Sequence, residues 1–373
     1  MQMRPYGAKG PEVSALGFGV MRLPPRGRNP WGKPNFTTGV PVIRHALELG
    51  VNFLDTHHNY HNGLSEVAIG KALKGWQDKV VIQSKTPFYR EEPLAFFQKL
   101  VEEALEKMGV GRIDYLLFHS MSMDMFKKRG KGFFKLTDWA MKKGLILHRG
   151  FSSHDPAANI KTFIDTGEFS AMLVSYNWLD PGVAEAIAHA ADKGMGVSVM
   201  NPVGGGSLSA DTAQIRRLLP GSSSPSETAL RYVLSTPGVC LALSGMNTNA
   251  QVDENVAIAS RKSWMTSAQR KAMIGRVQAI HAKGRILCTA CGYCMPCPHG
   301  VNIPENFMLL NRAKLFGLTD FARKRYAGLA GDKKGDRSAR ACQECGKCLP
   351  KCPNKVAIIA QLRQVAQVLG AKK

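Results

Sequence analysis

No apolar run in this chain approaches the ~20 residues that a helix needs to cross a bilayer. The opening stretch Met1-Gln2-Met3-Arg4-Pro5-Tyr6-Gly7 has no apolar core of the kind a secretory leader carries, so a cytoplasmic protein without a membrane span is the expectation. Acidic residues are scarce: 28 Asp and Glu stand against 50 Lys and Arg, a net charge of +22. Cysteine is nearly missing from the long N-terminal stretch, where Cys240 is the one example before Cys288. No G-x-G-x-x-G follows the first strand candidate, which removes the usual sign of an open doubly wound dinucleotide-binding sheet. What is present is 373 residues with 44% hydrophobic and 21% charged side chains. That is too apolar for disorder and enough for one large core with a satellite.

Short β-branched or apolar runs alternate with amphipathic segments. The strand candidates are Ala15–Met21, Val51–Asp55, Val80–Ser84, Tyr115–His119, Leu147–Ser152, Ala171–Tyr176, Gly196–Met200 and Cys240–Ser244. Helical patterns such as Val42–Leu49, Glu66–Leu73, Phe97–Met108 and Val183–Ala191 lie between them, and Gly50, Gly75, Gly109 and Gly194 follow as C-terminal stops. Alternating strands and helices imply a parallel sheet with right-handed crossovers. Eight units in about 250 residues fit an α/β (β/α)8 TIM barrel. We therefore divide the chain into a barrel over 1–264, a helical connector over 265–284 and a separate tail domain over 285–373.

In such a barrel the chemistry sits at the C-terminal ends of the strands. The second candidate ends in Asp55, with Tyr60 five residues on; the third runs into Lys85; the fourth ends in His119. A phenol with its ordinary pKa of about 10 is a weak acid at neutral pH, and a nearby ammonium lowers that value. Lys85 would supply the charge, Asp55 would hold the lysine, and His119 would orient a carbonyl oxygen. Such a site protonates a carbonyl oxygen as hydride reaches its carbon. His57, His58 and His61 flank the tyrosine; they are expected to face solvent, the other reading being that two of them line the substrate pocket, and a metal site is not expected because no carboxylate accompanies them at the i, i+4 spacing.

The stretch Phe53-Leu54-Asp55-Thr56-His57-His58-Asn59-Tyr60 resembles the aldo/keto reductases. So do Ser65-Glu66, Ile69-Gly70-Lys71-Ala72-Leu73, Gln83-Ser84-Lys85-Thr86, Leu16-Gly17-Phe18-Gly19 and Asp114-Tyr115-Leu116-Leu117-Phe118-His119. The resemblance covers about residues 10–260. It implies that Asp55, Tyr60, Lys85 and His119 form the catalytic tetrad with Tyr60 as general acid. It also implies that NADP(H) or NAD(H) binds over the barrel mouth without a Rossmann domain. By the same resemblance Gly19, Val20 and Met21 form the loop after the first strand, and Ser152 with Ser153 holds the carboxamide. Gly205, Gly206, Ser207 and Leu208 cover the pyrophosphate. Gly245, Met246, Asn247, Gln251 and Asn255 take the adenosine phosphate. Three positions depart from the family pattern. Leu173 stands where many members have a carboxamide-binding glutamine, Met200 where a tyrosine often stacks on the nicotinamide, and nothing from Gly245 to Asn255 is basic.

The tail holds Cys288-x2-Cys291-x2-Cys294-x2-Cys297-Pro298 and Cys342-x2-Cys345-x2-Cys348-x3-Cys352-Pro353. The second run matches the bacterial ferredoxin pattern, in which the fourth cysteine serves the other cluster. On that pattern Cys288, Cys291, Cys294 and Cys352 hold one [4Fe–4S] cluster, and Cys342, Cys345, Cys348 and Cys297 hold the second. The rival is a pair of four-thiolate zinc sites, but zinc pairs usually lack a third cysteine in step. Between the runs Glu305–Phe316 and Asp320–Leu329 read as helices. A subset of aldo/keto reductases carries such a C-terminal ferredoxin-type extension, and this chain resembles it. Cys240 is expected as a buried strand residue of the barrel.

Eighteen basic and five acidic residues lie from Arg276 onward, so the tail carries most of the excess charge. Arg323-Lys324-Arg325 and Lys333-Lys334 would steer an acidic ferredoxin or flavodoxin, or would partly offset the anionic clusters; the plain alternative is a solvated basic surface. A nucleic-acid role is not expected, since no aromatic-interleaved basic stripe is present. The expected activity is hydride transfer between NAD(P)H and a small carbonyl or alcohol, with the clusters handling single electrons. Two other readings stand beside it: clusters that are structural or sensing beside a barrel that works alone, and an electron-transfer subunit without nicotinamide activity.

Overall fold

The computed structural model describes residues 1–26, 33–88, 90–218, 220–282, 288, 293–332, 335–352 and 355–370. Two short strands come first, β1 (Met3–Pro5) and β2 (Glu12–Ser14), paired antiparallel. Eight more follow: β3 (Leu16–Gly19), β4 (Phe53–Asp55), β5 (Val81–Thr86), β6 (Ile113–Phe118), β7 (Ile146–Ser153), β8 (Ala171–Ser175), β9 (Gly196–Met200) and β10 (Leu241–Ser244). These eight close into a parallel barrel in chain order, with β10 pairing back onto β3. All eight strands expected from the sequence form, each within a few residues of its expected bounds.

Alternation along each strand decides what fills the barrel. Phe53, Val81, Tyr115, Leu117, Ala171, Leu173, Leu241 and Leu243 belong to one buried cluster. Two or four residues further on, the same strand faces carry Asp55, Gln83, Lys85 and His119. The interior is thus apolar in its lower layers and polar at the C-terminal rim. The hairpin of β1 and β2 was not anticipated from sequence. It closes the N-terminal end by adding Tyr6 and Val13 to the interior cluster. The Tyr6 ring packs 5.1 Å from Phe53 and 4.8 Å, edge-on, from Tyr115. Gly196 makes room for it, because a Cβ there would lie 2.8 Å from the Tyr6 ring.

The outer helices follow the amphipathic patterns. Leu94–Met108 buries Phe97, Leu100, Val101, Ala104 and Leu105, and Gly109 ends it in the left-handed region at φ 65°. Met123–Lys142 and Ala157–Asp165 were not singled out from sequence. The first is interrupted by Gly130 and Gly132 and is rich in Lys and Arg, which hides its apolar stripe. Cys240 directly precedes β10. It is only partly buried, and its sulfur accepts the Val197 N–H (3.4 Å).

The chain groups into two compact units, one of residues 1–205 with 226–270 and one of 206–225 with 271–373. The second therefore includes a stretch that the sequence division assigned to the barrel. Local bonds account for this: Thr212 Oγ1 donates to the Phe316 carbonyl (2.9 Å) and Arg276 Nη1 to that of Leu218 (3.0 Å). Within this unit the helices Ile303–Phe316, Thr319–Ala330 and Ile358–Gly370 share a core that includes Phe307, Leu310, Tyr326, Leu362 and Val365. The last of these helices was not foreseen. Asn302 caps the first, accepting the Glu305 N–H (3.4 Å). Buried Asn306 ties the loops together through the Asn302 and Arg337 carbonyls and the Ala339 N–H.

Candidate active site

Asp55 closes β4, Lys85 lies near the end of β5, and His119 is the first residue beyond β6. Tyr60 opens a 3-10 turn, Tyr60–Gly63, five residues past β4. The four are brought together as the spacing requires. Lys85 Nζ donates to Asp55 Oδ1 (2.7 Å), Asp55 Oδ2 (2.6 Å) and the Thr56 carbonyl (2.7 Å). Both partners are almost fully buried, at 3% and 5% exposure, so this ion pair stands outside bulk solvent. The Lys85 ammonium lies 5.1 Å from the centroid of the Tyr60 ring. The Tyr60 and His119 rings stand edge to face at 6.3 Å and 87°.

The histidines differ from the sequence expectation. His57 and His61 are buried, at 1% and 4% exposure, rather than facing solvent. His61 and Asn62 adopt left-handed backbone angles, φ 53° and 58°, and this curls the turn back over the strand ends. The His57 ring lies 4.0 Å from His119, tilted by 39°, and 5.1 Å from Tyr60. Its Nδ1 accepts the Asn59 N–H (3.1 Å), so the neutral ring carries its proton on Nε2. Burial, and then the Lys85 charge, holds His119 down at about 3. Burial, with His119 and Lys85, also holds His57 below its ordinary value.

Both rings stay neutral in the folded chain at pH values where the unfolded chain, near 6.5, takes up protons. Stability is therefore full above about pH 6.5 and falls as pH drops below it, by at most about 1.4 kcal/mol per pH unit for each ring. Thermal melts taken across that range should show the decline. A His57→Asn variant should show a shallower one, and an equally steep decline would discount the ring.

The residues matched to cofactor contacts lie on the loops after β3, β7, β9 and β10. Gly19 ends β3, and Val20 and Met21 open the short helix Val20–Arg22. Val20, Leu208 and Met246 are fully buried, so their side chains pack into the interior rather than onto a ligand. Ser207 is buried as well, and Gly205 and Gly206 adopt left-handed angles, φ 65° and 94°. The Ser152 hydroxyl accepts the Ser120 N–H (2.8 Å), and that of Ser153 donates to the Met121 carbonyl (2.7 Å). Both hydroxyls thus brace the loop after β6. Gln251 accepts the Asn247 N–H (2.9 Å), and Asn255 donates to Ser244 (3.1 Å). Leu173 is buried in β8 and Met200 ends β9.

Two residues escaped sequence reasoning. Gln83, on the inward face of β5 two residues before Lys85, donates to Asp55 Oδ1 (2.8 Å). Its signal was a polar residue in phase with Lys85. Arg22 supplies a cation at the mouth that the loop 245–255 lacks. A Cβ on Gly245 would lie 2.7 Å from Arg22 Cγ, and one on Gly205 would lie 3.4 Å from Arg22 Nη2. The guanidinium therefore reaches from the loop after β10 to the loop after β9.

In the second unit Cys294, Cys297, Cys342, Cys345 and Cys348 line one cavity, together with Lys347 and Lys351; Cys294 belongs to the other quartet expected from the spacing. Burial pushes the Cys348 thiol up, and Cys342, Cys297 and Cys345 add to the shift. Among the described residues no three Cys, His, Asp or Glu side chains close on a point as a single ion would need. Five thiols spread around a shared cavity outnumber the four that one zinc ion takes and fit iron–sulfur ligation better. Cys288, Cys294 and Cys352 pack against the same small core. Cys291 lies outside the described residues, as do Lys333 and Lys334.

A family model described as "Aldo/keto reductase family" matches residues 15–222. The chain belongs to the aldo/keto reductase family. A second model, "4Fe-4S dicluster domain", matches residues 287–358, so this aldo/keto reductase carries a ferredoxin-type iron–sulfur domain at its C-terminal side. L-galactose dehydrogenase of Arabidopsis thaliana is 25% identical over 283 residues, covering 69% of this chain and 88% of that one. NADH-specific methylglyoxal reductase of Escherichia coli is 24% identical over 308 residues, covering 69% and 93%. Among solved structures, the aldo-keto reductase AKR11C1 from Bacillus halodurans (holo form) superposes with a TM-score of 0.65 at 25% identity, covering 74% of this chain and 96% of that one. The protein is an oxidoreductase of this family. No helix among the described residues is long and apolar enough to cross a membrane.

Proposed function

We propose that the barrel reduces a small carbonyl compound, or oxidises the corresponding alcohol, with Tyr60 as the acid–base group. The observation that carries this reading is the buried Lys85–Asp55 pair set 5.1 Å from the Tyr60 ring. A fixed ammonium beside a phenol favours the phenolate and makes the phenol a better proton donor. Asp55 and the Thr56 carbonyl hold that ammonium in place, and neutral His119 offers an N–H to the substrate oxygen. Tyr60 then gives its proton to that oxygen in reduction and takes it back in oxidation.

A bound nicotinamide would supply the hydride, and two [4Fe–4S] clusters would carry single electrons to or from an acidic partner. Arg22, the left-handed Gly205 after β9 and Gly245 after β10 suit the cofactor's phosphates, because glycine lets backbone and guanidinium approach an anion closely. Titration of the full, cluster-loaded chain with NADPH and with NADH, followed by fluorescence, tests this. Binding of at least one is expected, and binding of neither overturns the reading. Arg22→Ala should weaken that binding about tenfold, the scale of one charge-assisted hydrogen bond. An unchanged affinity would remove Arg22 from the site.

A further inference from the structure

Gln83 is fully buried inside the barrel and bonded at both ends of its amide. Asp55 is held as a carboxylate by Lys85 and can only accept, so the Gln83 NH2 must face it, at 2.8 Å from Oδ1. The Gln83 carbonyl oxygen accepts from the Tyr6 hydroxyl (3.1 Å). That hydroxyl also lies 3.2 Å from Ser198 Oγ, which in turn donates to the Met172 carbonyl (3.2 Å). Burial pushes the Tyr6 phenol well above its ordinary value, so it stays a neutral donor. A hydrogen-bonded chain therefore runs from the hairpin that closes the barrel floor to the ion pair at the mouth: Tyr6, Gln83, Asp55, Lys85.

The consequence lies in how Lys85 divides its charge. Asp55 Oδ1 accepts hydrogen bonds from both Gln83 and Lys85, whereas Oδ2 accepts one from Lys85. Without the Gln83 donor the carboxylate would turn more of its acceptor capacity to the ammonium, would hold it harder, and would leave less of its field for the phenol 5.1 Å away. We propose that Gln83 is a positioning residue for carbonyl reduction, fixing the Asp55 carboxylate so that Lys85 presents its charge to Tyr60. The inference rests on the acid role proposed for Tyr60. The groups that face Tyr60 and Asp55 in this account are Lys85, Gln83, His57 and His119.

Two near-isosteric variants in the full, cluster-loaded chain test it. The first readout is the ultraviolet titration of tyrosinate, taken as each protein minus its own Tyr60→Phe counterpart, which isolates Tyr60 and needs no substrate. Gln83→Met should move the Tyr60 midpoint up by about one pH unit. Reduction of methylglyoxal should then show kcat lowered about tenfold with KM unchanged, and its basic limb displaced to higher pH. Gln83→Glu should track the parent at low pH, where the new carboxyl is protonated and still donates to Asp55. It should diverge as that carboxyl ionises. A Tyr60 midpoint unmoved in both folded variants overturns the inference while leaving the proposed reaction standing. Full methylglyoxal reduction by Tyr60→Phe overturns the proposed reaction, and the inference with it.

Discussion

Replacement of Tyr60 by Phe should abolish carbonyl reduction while leaving nicotinamide affinity within a factor of about two of the parent. The expected loss in kcat is about 10²- to 10⁴-fold, the usual contribution of a positioned general acid. The change removes one hydroxyl and keeps the ring, so the tilted contact with His57 and the edge-to-face contact with His119 should persist. Lys85→Met should be as damaging to turnover and more damaging to the fold. It leaves the Asp55 carboxylate buried at 5% exposure with only the neutral Gln83 donor opposite. An unpaired buried charge costs several kcal/mol, about 3–5 by measured precedent. Steady-state kinetics with NADPH and NADH, paired with thermal melts, separates the two effects. Retained activity in Tyr60→Phe would remove the tetrad from the mechanism.

The second large effect is expected in the tail. Cys348→Ser should lower the iron content from about eight per chain to about four, if each quartet holds one [4Fe–4S] cluster. Cys348 sits with Cys297, Cys342 and Cys345, and with Cys294 of the other quartet, around one cavity, and the loss should be confined to the cluster that Cys348 itself ligates. The same change should lower the melting temperature of the C-terminal unit. Its three main helices share only a small core, and small cores commonly depend on a metal or a cross-link. Cys240→Ser is the control. That thiol belongs to the barrel wall and should leave the iron content unchanged. Iron, sulfide and zinc analysis reads the outcome. About two zinc per chain and no iron would overturn the cluster assignment in favour of four-thiolate zinc.

Much of the site was legible because strand alternation is a local rule. Phe53 and Asp55, or Val81 and Lys85, lie on one face of their strands whatever the rest of the chain does. Once eight strands are counted, the residues at their C-terminal ends must converge. Tyr60 is a harder case, since it stands on a turn, and family resemblance carried it. Gln83 was overlooked because a polar residue below the rim of a strand has no meaning until its partner across the barrel is known. Arg22 was overlooked for a related reason. It was sought on the loop after the last strand, and the barrel delivers it from the loop after β3.

The cysteine spacing and the strand-and-helix alternation determined, without coordinates, the barrel, the iron–sulfur tail and the three strand-end residues Asp55, Lys85 and His119. These are properties of short windows, fixed by repeat lengths of two or 3.6 residues and by tight ligand turns. Tertiary structure alone decided the rest. It buried His57 and His61 against the rim, grouped residues 206–225 with the cluster-bearing unit, and ran a hydrogen-bonded chain from Tyr6 to Lys85. Each of these joins residues distant in sequence. Burial and pairing at such range depend on closure of the whole barrel, which no local pattern records.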